Sequence, residues 1–223
     1  MNMKDIINTI LEKETDTRII SAVAAISGSL FEGNSAENVF PLVNPCEAVE
    51  EYSEADIAKC KSPILIRNYF KGGAVVAAFN LGAEKKPCYG SVRAIDAGLK
   101  NKGGYIYNEF FSEDFGYVNA DEDIYFMLDS SEPVKYFVFL RKNEYKPLFL
   151  GRIDCLNGFL AIEDRNEDTV ILKNGGRFAF VCDDDYSVYD AKGNEIDYDR
   201  IGLVCTGACE KDNLSLKFIK DDY

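Results

Sequence analysis

Met3, Ile6, Ile7, Ile10 and Leu11 recur at i, i+3, i+4, i+7 and i+8, with charged residues between them. That period is the apolar stripe of an amphipathic helix and predicts one over residues 3–14. The next apolar run, residues 18–26 (RIISAVAAI), closes at Ser27-Gly28-Ser29. Its length and composition fit a buried helix or a buried strand, and periodicity does not separate them. Residues 36–43 read as one or two further helical turns before Pro45. Ser53-Glu54-Ala55-Asp56 has the spacing of a helix N-terminal box, which predicts a short helix ending before Pro63.

From Pro63 onward the pattern changes to short β-prone runs separated by glycine, asparagine and aspartate, the texture of an antiparallel β-sandwich. Residues 64–70 and 74–81 flank Gly72-Gly73 as a hairpin. Further strands are predicted at 89–97, 105–111, 124–128, 134–141, 148–154, 159–163, 169–172, 177–182, 186–189, 201–206 and 214–219. In the last of these Leu214, Leu216 and Phe218 alternate with Ser215 and Lys217, giving one buried and one wet face. Gly175-Gly176 and 191–194 read as additional hairpin turns. The fold class expected is therefore mainly β, an antiparallel sandwich of about a dozen strands, with residues 1–62 a helical segment and 63–223 the β domain.

Composition narrows what such a domain does. Its 223 residues are enough to support a full hydrophobic core. Lys plus Arg number 25 against 38 Asp plus Glu, a net charge of −13 that repels phosphate backbones and anionic lipid, so neither nucleic acid nor membrane is an expected partner. The chain has no histidine, which removes the commonest general base, the usual neutral metal ligand and every Ser-His or Cys-His pair. Seven cysteines spread over the whole length read as reduced thiols. With no basic-then-apolar leader at the start and no run of 18 apolar residues, the cytoplasm is the expected compartment.

Candidate chemistry is sparse. Asp183-Asp184-Asp185 with Asp190 has the oxygen density of a calcium loop, but the glycine and terminal glutamate of the EF-hand are not at their offsets, so a solvated acidic turn is the reading. Asp121-Glu122-Asp123 and Asp164, Glu167 and Asp168 read the same way. Cys205 and Cys209 are four apart, without the further ligands a zinc tetrahedron needs. No metal or other cofactor is implied. Tyr105, Tyr107, Phe110, Phe111, Phe115 and Tyr117 form an aromatic stretch with the apolar faces and polar handles that stack on sugar rings, although core packing accounts for most such rings.

Four segments, in order, resemble the C-terminal half of the raffinose synthase and seed imbibition protein group, relatives of glycoside hydrolase family 36 α-galactosidases. They are Ala24-Ala25-Ile26-Ser27-Gly28; Ile64-Leu65-Ile66-Arg67-Asn68 through Gly73 to Phe79-Asn80; Gly90-Ser91-Val92-Arg93-Ala94-Ile95-Asp96; and Ile201-Gly202-Leu203 with Thr206-Gly207-Ala208. The resemblance implies the closing edge of a (β/α)8 barrel followed by a β-sandwich. A complete barrel takes roughly 250 residues, and the family's catalytic aspartates lie upstream of the matched region, so the resemblance carries over no catalytic residue. Arg67 stands where the family has tryptophan, and Gly28-Ser29-Leu30 where it has Gly-Gly-Pro. On position at the barrel edge, Glu32 and Asn34 are candidate sugar contacts, beside Tyr105 and Tyr107 from the aromatic stretch.

The function expected from this reading is a non-catalytic, structural or partner-docking chain. Its partner would be a separately encoded barrel subunit or a second copy of itself, because the helical segment would otherwise expose an apolar face. The rival expectations are a carbohydrate-binding module for an oligosaccharide, and a histidine-free glycosidase using two carboxylates.

Overall fold

The computed structural model describes residues 3–28, 39–40, 42–53, 55, 62–82, 84, 86–100, 103–142, 146–210 and 215–221. Two helices, α1 (Met3–Lys13) and α2 (Thr17–Ser27), precede a chain that is mainly antiparallel β, with sixteen strands among the described residues. The contact pattern divides it into two compact units, 1–35 with 41–142, and 36–40 with 143–223.

In the first unit the strands are β1 (Glu47–Ala48), β2 (Ile64–Phe70), β3 (Gly73–Phe79), β4 (Cys88–Val92), β5 (Gly104–Glu109), β6 (Asp114–Asn119), β7 (Ile124–Leu128) and β8 (Val134–Arg141). Six of them form a sheet in the order β1-β2-β3-β8-β5-β6, and β4 pairs with β7 as a separate two-stranded ribbon. The predicted Gly72-Gly73 hairpin joins β2 to β3, with Ile64 opposite Phe79 and Phe70 opposite Gly73. Strand β3 is buried at every position because both faces are covered, which is why GAVVAAF does not alternate. Ala74, Val76, Phe137 and Phe139 pack with Val92, Ala94 and Phe126 on the ribbon side, while α2 packs against β2, β3 and β8.

The run 18–26 is a helix. Asp16 accepts from the Arg18 backbone N–H at 2.9 Å and so caps its start. Gly28, at φ 71°, ends it in the left-handed conformation, where a Cβ would lie 2.3 Å from the Leu42 carbonyl oxygen. Ala22, Ala24 and Ala25 keep the helix face flat against the sheet. Ile6, Ile10, Ile19 and Ile26 are essentially inaccessible, while Met3, Ile7 and Leu11 of the same α1 stripe are only half-buried.

Asn68 ties these layers together. Its amide donates to the Ile26 carbonyl at 2.6 Å and the Asn44 carbonyl at 2.8 Å from a fully buried position. Asn68→Ala strands both acceptors without water and is expected to cost about 2 kcal/mol in urea unfolding, whereas the same change at exposed Tyr69 stays within about 0.5 kcal/mol.

The second unit contains β9 (Leu148–Arg152), a 3₁₀ turn (Gly158–Ala161), β10 (Ile162–Arg165), β11 (Thr169–Leu172), β12 (Gly176–Val181), β13 (Tyr186–Tyr189), β14 (Tyr198–Ile201), β15 (Val204–Cys209) and β16 (Ser215–Lys220). They form two four-stranded sheets, β10-β11-β16-β13 and β14-β15-β12-β9. Phe149, Phe178 and Phe180 from one sheet meet Val170, Leu172, Val188, Leu216 and Phe218 from the other in a single core.

Several local expectations are corrected. Val39 makes a parallel bridge to Leu156, and Phe40 donates to the Leu156 carbonyl, so this part of 36–43 is extended rather than helical. Gly175-Gly176 is no hairpin, because β11 and β12 belong to different sheets. The run 159–163 begins as a 3₁₀ turn, and 201–206 is broken by the Gly202-Leu203 turn between β14 and β15. The short helix expected after Ser53 falls mostly outside the described residues.

Candidate functional site

The β4–β7 ribbon presents the clearest surface for recognition. Its register sets Tyr89 opposite Met127 and Ser91 opposite Tyr125. Alternation turns Val92, Cys88 and Leu128 into the core and these four residues outward. Tyr89 is 73% exposed, Tyr125 80% and Met127 41%. Tyr89 and Tyr125 are diagonal neighbours, a pairing that brings side chains within reach of each other across two strands. Gly90 sits beneath, where a Cβ would be 2.9 Å from the Pro63 ring, so the ribbon lies close on the layer below it.

The surroundings of this face are acidic. Asp121, Glu122 and Asp123, all exposed, lead into β7 at the Ile124 end. The Arg93 guanidinium beside them is already held by Asp96 at 2.9 Å, and its pKa is raised chiefly by that hydrogen bond. At the other end Lys86 is paired with Glu84 at 2.6 Å. Ser131 and Glu132 donate to Asp129, and the Ser131 hydroxyl bond is the main cause of its lowered pKa.

Residues that the sequence singled out fall elsewhere. Glu32 and Asn34 lie outside the described residues. Tyr105 is 2% exposed, and its hydroxyl donates to the Lys100 carbonyl, so its ring is core rather than a sugar platform. Tyr107 lies across Gly116, whose Cβ would be 2.3 Å from the ring, and donates to Asp114 at 3.1 Å; burial and that carboxylate raise its pKa. The structure does not bring Tyr105 and Tyr107 together with the exposed ribbon tyrosines on one open face. Arg67 is engaged by Glu47 at 2.8 Å. Asp96 accepts from the Arg93 backbone and guanidinium, and Asn80 donates to the Lys86 carbonyl. Arg67, Asn80, Arg93 and Asp96 thus hold turns and neighbouring segments together.

The acids of 183–185 are taken up by cations: Asp184 by Lys220 at 2.8 Å, Asp185 by Arg200, and Asp183 by Lys146 at 3.7 Å. Asp190 accepts from Lys192 and Asn194 to close its own turn. Among the described residues no three carboxylates or thiols converge as a metal site would require. A cleft of about 750 Å³ runs between Met3, Ile6 and residues 48–53, with Glu50 and Glu51 on its wall.

Tyr89 and Tyr125 were missed by sequence reasoning because their pairing spans some 36 positions of chain and nothing local announces it. Residues 124–128 (IYFML) are apolar or aromatic throughout, so no local alternation marks either face of this strand as unburied. No known protein-family model matches the chain, and no curated protein sequence does.

Proposed function

We propose that this chain is a non-catalytic docking protein and that the outward face of the β4–β7 ribbon is the surface it docks with. The observation that supports this is the exposure of two tyrosines and a methionine side by side on one ribbon face. Tyrosine and methionine are enriched in the buried centres of protein interfaces, and an aromatic face ringed by acids favours a partner that brings lysine or arginine over the rings. The net charge of −13 steers the same kind of partner. The resemblance to raffinose-synthase-like α-galactosidases supplies the partner's class in this reading: a (β/α)8 barrel subunit, with this chain as its accessory β-domain.

The test compares the wild type with Tyr89→Ala/Tyr125→Ala as baits for native lysate, with mass spectrometry of stoichiometric partners and a salt series. The expected result is a barrel-type glycosidase retained by the wild type. The double variant should weaken that complex by at least about thirtyfold, and salt should release it. A partner retained equally by the variant, or capture of the chain by itself alone, overturns the reading. The chain alone is expected to turn over neither raffinose nor an aryl α-galactoside. An oligosaccharide stacked on the same two rings is the second reading, favoured by their diagonal arrangement. It is distinguished by binding that titrates with sugar and is indifferent to salt.

A further inference from the structure

Cys182 follows β12, and its N–H donates to the Leu203 carbonyl at 3.1 Å, continuing the ladder in which Phe180 faces Cys205. Cys182 and Cys205 are therefore diagonal neighbours on the inward face of this sheet, with their sulfurs 3.8 Å apart. Both are free thiols, buried in the core of the second unit. Arg200 lies over the pair from β14, donating to the Cys182 carbonyl at 3.3 Å and to Asp185.

The electrostatics separate this pair from the other thiols. Burial pushes Cys155 up to about 12, and it also raises Cys46 and Cys209. Cys182 moves the other way: its thiol–thiol contact with Cys205, together with the Arg200 charge, outweighs burial. The Cys182 contact and burial raise the Cys205 thiol. Two thiols 3.8 Å apart beside a guanidinium are placed for one to act as thiolate and the other to resolve it.

We propose that Cys182 and Cys205 form a peroxide-responsive dithiol, oxidised in place to a disulfide that ties the end of β12 to β15. The Cys182 thiolate attacks one oxygen of a hydroperoxide. The S–O bond forms as the O–O bond breaks, and the departing hydroxide or alkoxide leaves as water or alcohol once protonated. Cys205 sulfur then attacks the Cys182 sulfenic acid; S–S forms, S–O breaks, and water leaves with the Cys205 proton. Overall, two thiols give two electrons and two protons to the peroxide. Bond formation needs the sulfurs to close from 3.8 Å to the disulfide length of about 2.05 Å. The ring so closed contains β13 and β14 and the exposed Ile201 and Leu203 tip, and it constrains the unfolded chain over that span.

The reduced full chain is treated with near-stoichiometric hydrogen peroxide at neutral pH, its remaining thiols are blocked, and tryptic peptides are mapped without reduction. Cleavage gives residues 178–192 linked to 201–211; fragmentation of the latter distinguishes Cys205 from Cys209. The expected result is a Cys182–Cys205 link, a fall in thiols titrated in denaturant from seven to five, and a melting temperature several degrees higher. Cys205→Ser is expected to trap Cys182 as a sulfenic acid that dimedone labels. Oxidation confined to Cys46 or Cys209, or a Cys182–Cys209 link, overturns the proposal. The wild-type peptide map decides even if the serine variant does not fold.

Discussion

Replacing Glu109 by alanine is expected to destabilise the first unit by about 3–5 kcal/mol, because it leaves three backbone donors without their acceptor and the largely buried Lys135 ammonium with Glu132 as its one remaining carboxylate partner. The Glu109 side chain is 3% exposed at the end of β5. It accepts from the backbone N–H groups of Phe111 at 3.2 Å, Ser112 at 2.9 Å and Tyr136 at 2.9 Å, and from the Ser112 hydroxyl. The Lys135 ammonium reaches it at 3.2 Å and Glu132 at 3.0 Å. One carboxylate thus closes the β5–β6 turn and joins it to β8. Urea unfolding followed by circular dichroism measures the effect. Glu109→Gln keeps the volume but turns an amide donor toward donors, and should lose about 2 kcal/mol. Adding Lys135→Met removes the partly desolvated charge that has lost one of its two carboxylates and should restore part of that loss, which a double-mutant cycle reads directly. If Glu109→Ala unfolds with an unchanged midpoint, the network is not structural.

The same network carries a pH signature. Burial works against the Lys135 charge, but the carboxylates of Glu132 and Glu109 outweigh it, so its pKa lies above the ordinary 10.5. A group whose folded pKa is raised stabilises fully below its unfolded value and loses that stabilisation as pH climbs through the folded one. The wild type should therefore lose stability as pH rises beyond 10.5, and Glu109→Gln should lose less over that window.

Where local pattern and tertiary environment agree, the sequence was a good guide. Gly72-Gly73 between two apolar runs is a hairpin because the turn chemistry is local, and 124–128, 134–141, 169–172 and 186–189 are strands at the predicted residues. The run 18–26 was ambiguous in period and became a helix through its ends, Asp16 as cap and Gly28 beyond, which hydropathy does not weigh. Strand β6 was hidden because DFGYVN is too polar and glycine-broken to register; β5 supplies the ladder, and Tyr107 covers Gly116. Gly175-Gly176 resembled every other turn, since nothing local says whether a chain pairs back or crosses to another sheet. The exposed ribbon face was illegible for a related reason. Tyr105 and Tyr125 are the same residue type in similar strands, and only the layer each faces makes one core and the other surface. The thiol pair Cys182 and Cys205 needed the register of β12 on β15; spacing alone pointed instead to Cys205 with Cys209.

The second unit is expected to depend on Phe180 as the first does on Glu109. Phe180 is fully buried on β12, with edge-to-face contacts to Phe218 of the opposite sheet at 5.1 Å and Tyr198 of β14 at 5.2 Å, and Phe178 stacked alongside at 6.3 Å. Because those partners come from both sheets, deleting the ring empties the layer between them rather than thinning one edge. Phe180→Ala should cost about 3–5 kcal/mol, the range for large aromatic truncation in a core that relaxes partially. In amide hydrogen exchange that corresponds to protection falling roughly a hundredfold to a few thousandfold in β12, β15 and β16. Phe180→Leu, which retains most of the apolar volume, should lose about half as much. Ile201→Ala is the matched control, since Ile201 is 84% exposed at the β14–β15 turn and its removal should stay within about 0.5 kcal/mol. The ordering of the three variants is the decisive quantity. If Phe180→Ala is no more costly than Ile201→Ala, the two sheets do not share the core described, and the inward register that brings Cys205 beside Cys182 falls with it, because Phe180 and Cys205 are direct partners on that face.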